Sequence, residues 1–174
     1  SWAVIWSTSS TGSIPYTFHF KRFDQNNQPG TEGEITMMAD LLYSNLNDPE
    51  GNVYVVLADL SAYPSHSLKL AKIDRSGAIV FQRTIDNLGG NTGGSYAQFA
   101  LGSDNQFSII YSVYPELRFA RANLEGVITT QPRPIQLALS GILFTSDRLG
   151  NLYMFGRDNP PNGPVAYQKL NERD

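Results

Sequence analysis

His19 and His66 are the only imidazoles in a chain of 174 residues that has no cysteine. Thiolate nucleophiles, zinc-thiolate sites and a disulfide framework are therefore excluded, and a Ser-His-Asp arrangement is the covalent route to weigh. His66 stands in "DLSAYPSHS", read as a loop, where Asp59 supplies a carboxylate and Tyr63 an aromatic ring. The corresponding segment near the C-terminal end, "RDNPPNGP", supplies Arg157 and Asp158. A ring among hydrogen-bonding groups can hold a polar ligand or a sugar. Asp59, Tyr63, His66, Arg157 and Asp158 thus form the candidate ligand-binding set. His19, between Phe18 and Phe20, reads as a packed or rim histidine. No G-x-S-x-G elbow is present, so no catalytic residue is assigned. Asp48, Glu50, Asp104, Glu125 and Asp147 fall in turns, and turn formation accounts for them; none of these turns has the alternating ligands and terminal Glu of an EF-hand. "GGNTGG" (Gly89 to Gly94) lacks the Lys and the following helix that a phosphate loop needs. No metal or cofactor is expected.

These residues must be positioned by strands. Fifteen Gly and ten Pro punctuate short stretches rich in Val, Ile, Tyr and Phe, and no window keeps a helical period for three turns. "GNVYVVL" from Gly51 has counterparts in "SWAVIWS" (Ser1), "NQFSIIYS" (Asn105) and "GNLYMFG" (Gly150). A second stretch follows each: "FHFKRFD", "LKLAKID", "LRFARAN" and "VAYQKLN". Each has an apolar residue at its first, third and sixth positions, a cation at its fifth and Asp or Asn at its end. Their last residues, Asp24, Asp74, Asn123 and Asn171, are separated by 50, 49 and 48 residues. A sheet-sized unit repeated at such a period predicts a β-propeller-like array of four-stranded blades, about 3.5 repeats of roughly 48 residues. The approximate units are 1–44, 45–98, 99–141 and an incomplete 142–174, within one domain.

Alternation puts Phe18, Phe20 and Arg22 on one strand face and His19, Lys21 and Phe23 on the other. Apolar residues on both faces suit a sheet sandwiched between neighbours. The repeated cation (Arg22, Lys72, Arg121, Lys169) is expected near a strand end, its stem on apolar surface and its head in water. "DRSG" (Asp74 to Gly77) and "NLEG" (Asn123 to Gly126) place a glycine where the turn calls for positive φ.

The stretch from Asp48 to Gly90, with its D-x-x-G-N-V-Y-V strand, K-x-D-x-x-G turn and closing L-G-G, resembles the bacterial β-propeller repeat often called the SBBP repeat. The likeness is good over this unit and partial over the others: Asn123 replaces the Asp and Gln106 the Asn of the G-N pair. The resemblance implies a blade fold and a secreted or cell-surface location, and it implies no chemistry.

A net charge of −3 with 17% charged residues supplies no basic stripe, so no nucleic-acid partner is expected. The opening apolar run is too short to span a membrane. Lacking an initiator Met, the chain is expected to be a processed protein or a piece of a longer one. Its last unit stops about 20 residues short, and an open arc would expose strand edges and apolar blade faces, so the chain is expected to be a fragment of a larger propeller, an arc completed by a second copy or another protein, or a small closed ring. The expected function is a non-catalytic secreted or cell-surface module for assembly or adhesion, its ring completed by a second copy or a protein partner. A carbohydrate-binding module, with a glycan as partner, and a fragment of a propeller hydrolase or lyase are the alternatives.

Overall fold

The computed structural model describes residues 2–8, 17–36, 41–59, 65–89, 97–113, 116–135, 139–147, 151–158 and 165–170. Among them all regular structure is strand, and every pairing is antiparallel. Sheet one is built in chain order from β1 (Trp2–Thr8), β2 (Thr17–Phe23) and β3 (Pro29–Thr36). Sheet two adds strands in the same way: β4 (Leu41–Asn47), β5 (Val53–Asp59), β6 (His66–Ile73) and β7 (Ile79–Gly89). Sheet three holds β8 (Ala97–Leu101), β9 (Gln106–Val113), β10 (Glu116–Asn123) and β11 (Ile128–Ile135). Sheet four holds β12 (Leu139–Ser146), β13 (Leu152–Asp158) and β14 (Val165–Leu170). The chain divides into two compact units, Ser1–Thr92 with sheets one and two, and Gly93–Asp174 with sheets three and four.

The repeat holds at the level of strand register. Arg22, Lys72, Arg121 and Lys169 face Ala3, Tyr54, Ser108 and Tyr153 across the same strand pair. Two residues earlier, Phe20, Leu70, Phe119 and Tyr167 face Ile5, Val56, Ile110 and Phe155. Sequence order differs in one respect. The Gly-Asn strand is the second strand of its sheet, because β4, β8 and β12 each run ahead of it. Sheets two and three therefore have four strands, and sheets one and four have three. In β4 a bulge between Leu42 and Ser44 breaks the alternation, and Ser44, Asn45 and Asn47 dilute its apolar character.

The turns repeat as closely as the strands. Asp24, Asp74 and Asn123 each donate a backbone N–H to the carbonyl four residues on and accept one from the N–H three residues on. Their side-chain oxygens accept from the N–H groups two and four residues on, at 2.7–3.1 Å. Such a bridge leaves the fourth turn residue left-handed, and Gly77 (φ +90°) and Gly126 (φ +77°) fill that place; Asn27 (φ +60°) takes it in sheet one.

Within each unit one sheet lies on the next through the same two faces. We call trailing the face that carries Ala3, Ile5, Phe18 and Phe20 in sheet one, and leading the opposite face. In the first unit, trailing residues of sheet one bury themselves against leading residues Val53, Val55, Leu57, Ala71 and Ile73 of sheet two. In the second, Ile110 and Phe119 of sheet three meet Leu152 and Met154 of sheet four, with Leu117, Ile135 and Phe144 packed alongside. Phe20 is held between two glycines. A Cβ on Gly33, across the strand pair, would stand 2.8 Å from its ring, and one on Gly77, in the next sheet, would run into it.

Candidate functional site

Strand alternation decides which candidate side chains can meet. Asp59 ends β5 opposite Ser67, on the face it shares with Lys69, and the two form an ion pair that is largely buried. His66 was expected in a loop. It opens β6 instead, paired with Gly89 of β7 and only 5% exposed. The strand reaches back to it because the apolar alternation of Leu68 and Leu70 continues through position 66. Alternation also turns His66 to the face opposite Ser67 and Lys69. Tyr63 lies outside the described residues. Arg157 and Asp158 close β13, facing Ser140 and Leu139. Asp158 stands five residues after Tyr153, as Asp59 stands five after Tyr54, so these two acids hold matching places in sheets four and two. The structure thus links Asp59 to a lysine that the sequence did not single out, and places Arg157 and Asp158 in the other unit.

The opposite sheet ends, where the Asp and Asn turns lie, hold the more organised polar structure. The repeated cation was expected to reach water, and Arg22 does not. It is 8% exposed, and its guanidinium crosses from sheet one to donate to the carbonyl oxygens of Gly51 and Asp74, both at 2.5 Å. Burial pulls Arg22 below its ordinary value, while the Asp74 charge acts the other way. No local pattern encodes this burial, because the carbonyls that bind Arg22 lie 29 and 52 residues away. Lys72 sits 5.2 Å from the ring centre of the buried Tyr54, and Lys169 6.0 Å from that of Tyr153. A hydrogen bond with the Tyr54 hydroxyl raises the Lys72 ammonium against the opposing effect of burial. Asp74 is held below the usual carboxylate range, chiefly by the Ser76 hydroxyl, with backbone N–H groups adding to it. In the second unit Arg121 meets Asp104 at 2.5 Å. Beside that pair Asn105, Gln106, Asn123, Glu125 and Thr129 line an open depression of about 380 Å³. Among the described residues no three His, Asp or Glu side chains gather in a way that could hold a metal ion.

A third surface is apolar. On the trailing face of sheet two Tyr54, Val56 and Leu70 have no exposure, nor have Phe107 and Ile109 on the leading face of sheet three. The leading face of sheet one is open. Val4, which matches the fully buried Val55, is 41% exposed. Next to it Trp6 stacks on His19 with ring centres 5.5 Å apart, bordered by the pairs His19–Glu34 (3.7 Å) and Lys21–Glu32 (2.8 Å). The trailing face of sheet four is open as well, with Leu143 66% and Phe155 41% exposed where Val56 and Ile110 are fully buried.

This all-β arrangement is propeller-like, and solved structures share it. The chain is similar to a glucose dehydrogenase, with a TM-score of 0.60 and 10% identity over 94% of this chain and 60% of that one. A second glucose dehydrogenase matches with a TM-score of 0.54 and 11% identity, over 94% and 64% of the two chains. A protein of unknown function from Bacteroides caccae matches at 0.50 and 11%, over 95% and 57%. The chain therefore spans less than two thirds of each of these proteins, and at such identities the likeness is one of fold. No family model matches it, and no curated protein does.

Proposed function

We propose that this chain is a non-catalytic, propeller-type module of a secreted or cell-surface protein, and that it works by protein assembly or adhesion. The observation that carries the reading is the pair of open faces on sheets one and four. Residues at the matching positions, Val55, Val56 and Ile110, are fully buried. Apolar area left in water costs roughly 25 cal/mol per Å², so such faces call for a cover. The resemblance of Asp48 to Gly90 to the SBBP repeat supports the blade reading and the extracellular location.

The polar clusters suit binding better than turnover. His66 lies on the far face from the Asp59–Lys69 pair, and Arg22 is engaged by carbonyls of the next sheet. The likeness to glucose dehydrogenases supports the fold and does not carry their activity across.

The test is whether these faces are wet and sticky. At high dilution the chain is expected to bind an environment-sensitive apolar dye such as ANS, and the Val4→Glu, Leu143→Glu double variant to lose most of that signal. A chain that binds no dye at any concentration would sink the reading.

A further inference from the structure

We propose that the occupant of the open faces is a second copy of this chain, docked head to tail. The trailing face of sheet four on one copy lies on the leading face of sheet one on the next. This rests on the assembly reading above and gives the partner an identity.

Such docking continues a packing that the molecule already makes twice. Sheet one presents its trailing face to the leading face of sheet two, and sheet three does the same to sheet four. Register is conserved between these sheets to the residue, so a trailing face of this repeat is shaped for a leading face of the same repeat. Among the described residues the chain carries one open face of each kind. Leu143 and Phe155 belong to a trailing face, Val4 and Trp6 to a leading one. Two different patches that fit each other, on one molecule, make a heterologous contact.

Charge agrees with this pairing. Where sheet one lies on sheet two, Arg22 reaches the Asp74 turn. The same packing between copies brings the exposed Lys169, which holds the place of Arg22, to the turn of Asp24, which holds the place of Asp74. The leading face of sheet one also has Glu32 and Glu34 along its border, with side chains 55% and 71% exposed. An apolar strip with a charged border is the usual make-up of a protein interface.

A heterologous contact has a signature that a symmetric one lacks. Val4→Glu spoils only the leading face, and Leu143→Glu only the trailing face. By sedimentation velocity, the wild-type chain is expected to grow in mass with concentration. Each variant alone should associate at least about tenfold more weakly, since docking would bury an unpaired carboxylate. Mixed in equal amounts, the two should form a dimer that grows no further, because each still offers one intact face. Leu143→Met should behave as wild type. Circular dichroism identical to wild type would show that both Glu variants are folded. A mixture that stays monomeric while the wild-type chain assembles overturns the head-to-tail geometry. A wild-type monomer at every concentration that still binds ANS overturns self-association and leaves the assembly reading standing, whereas one that binds no dye overturns both.

Discussion

The two units use one repeat position in opposite ways. In the first, Arg22 leaves its own sheet and is sequestered by carbonyls of the next, so a cation ties two sheets together at the turn end. In the second, Arg121 at the same register turns back to Asp104 of its own sheet, whose side chain is 40% exposed. Among the described residues, sheets three and four are tied by the Phe144 N–H, which donates to the Gln98 side chain at 2.7 Å, and by the Ser146 hydroxyl, which donates to the Leu101 carbonyl at 2.9 Å. The repeat therefore fixes where a charge is presented, and the neighbouring turn fixes what the charge does. Where buried carbonyls are within reach the cation becomes a cross-sheet brace, and where an acid is nearer it becomes a surface pair.

The largest effect that would test this contrast lies in the two interface rings. Phe20→Ala should cost near the top of the about 3–5 kcal/mol range for such truncations, because the backbone of Gly33 and Gly77 on either side leaves little room for collapse. Phe119→Ala, at a ring already 7% exposed, should cost less in urea unfolding. Equal losses would mean that the first interface is no more rigid than the second.

A smaller difference is expected from the cations. Arg22→Met should destabilise by about 2 kcal/mol, through two lost charge-assisted hydrogen bonds and carbonyls left without a donor. Arg121→Met should cost less, about 1 kcal/mol, since its acid partner Asp104 is 40% exposed. Amide exchange would place the first loss in Ser1–Thr92 and the second in Gly93–Asp174; an Arg121 effect as large as that of Arg22 would erase the distinction drawn here.

The smallest effect concerns acid. The Asp74 carboxyl is depressed in the folded chain, so its contribution is fully present above the ordinary carboxylate range and is lost as pH falls through the folded value. The matching residue in the second unit is Asn123, which does not titrate. Asp74→Asn should flatten the acid side of the stability profile of the first unit, measured as amide protection at Gly77, toward the profile of the Asn123 turn. An unchanged acid limb in the variant would show that Ser76 and the turn amides do not favour the charged form.

How much of this was readable in the chain follows from the range of the interactions. The strands that begin at Val53 and Gln106 and the turns at Asp74 and Asn123 are local, and each announces itself by alternation or by an Asx residue placed three before a glycine. The strand at Leu41 is hidden because its bulge at Tyr43 disrupts the period and its polar residues resemble a loop. Arg22 was legible as a cation near a strand end. Its partners were not, since they belong to a sheet whose position no local pattern encodes. His66 failed for a different reason: Pro64 and Ser65 mark the end of a loop as readily as its middle, and only pairing with Gly89 shows that the strand has begun.

The clamp on Phe20 has an evolutionary corollary. Three sites far apart in the chain, at positions 20, 33 and 77, share one volume, so none can drift alone. A lineage that keeps the ring keeps both glycines frozen, and one that trades it for a small aliphatic residue releases position 33 outright. Position 77 stays constrained even then, for its backbone angle still excludes most side chains.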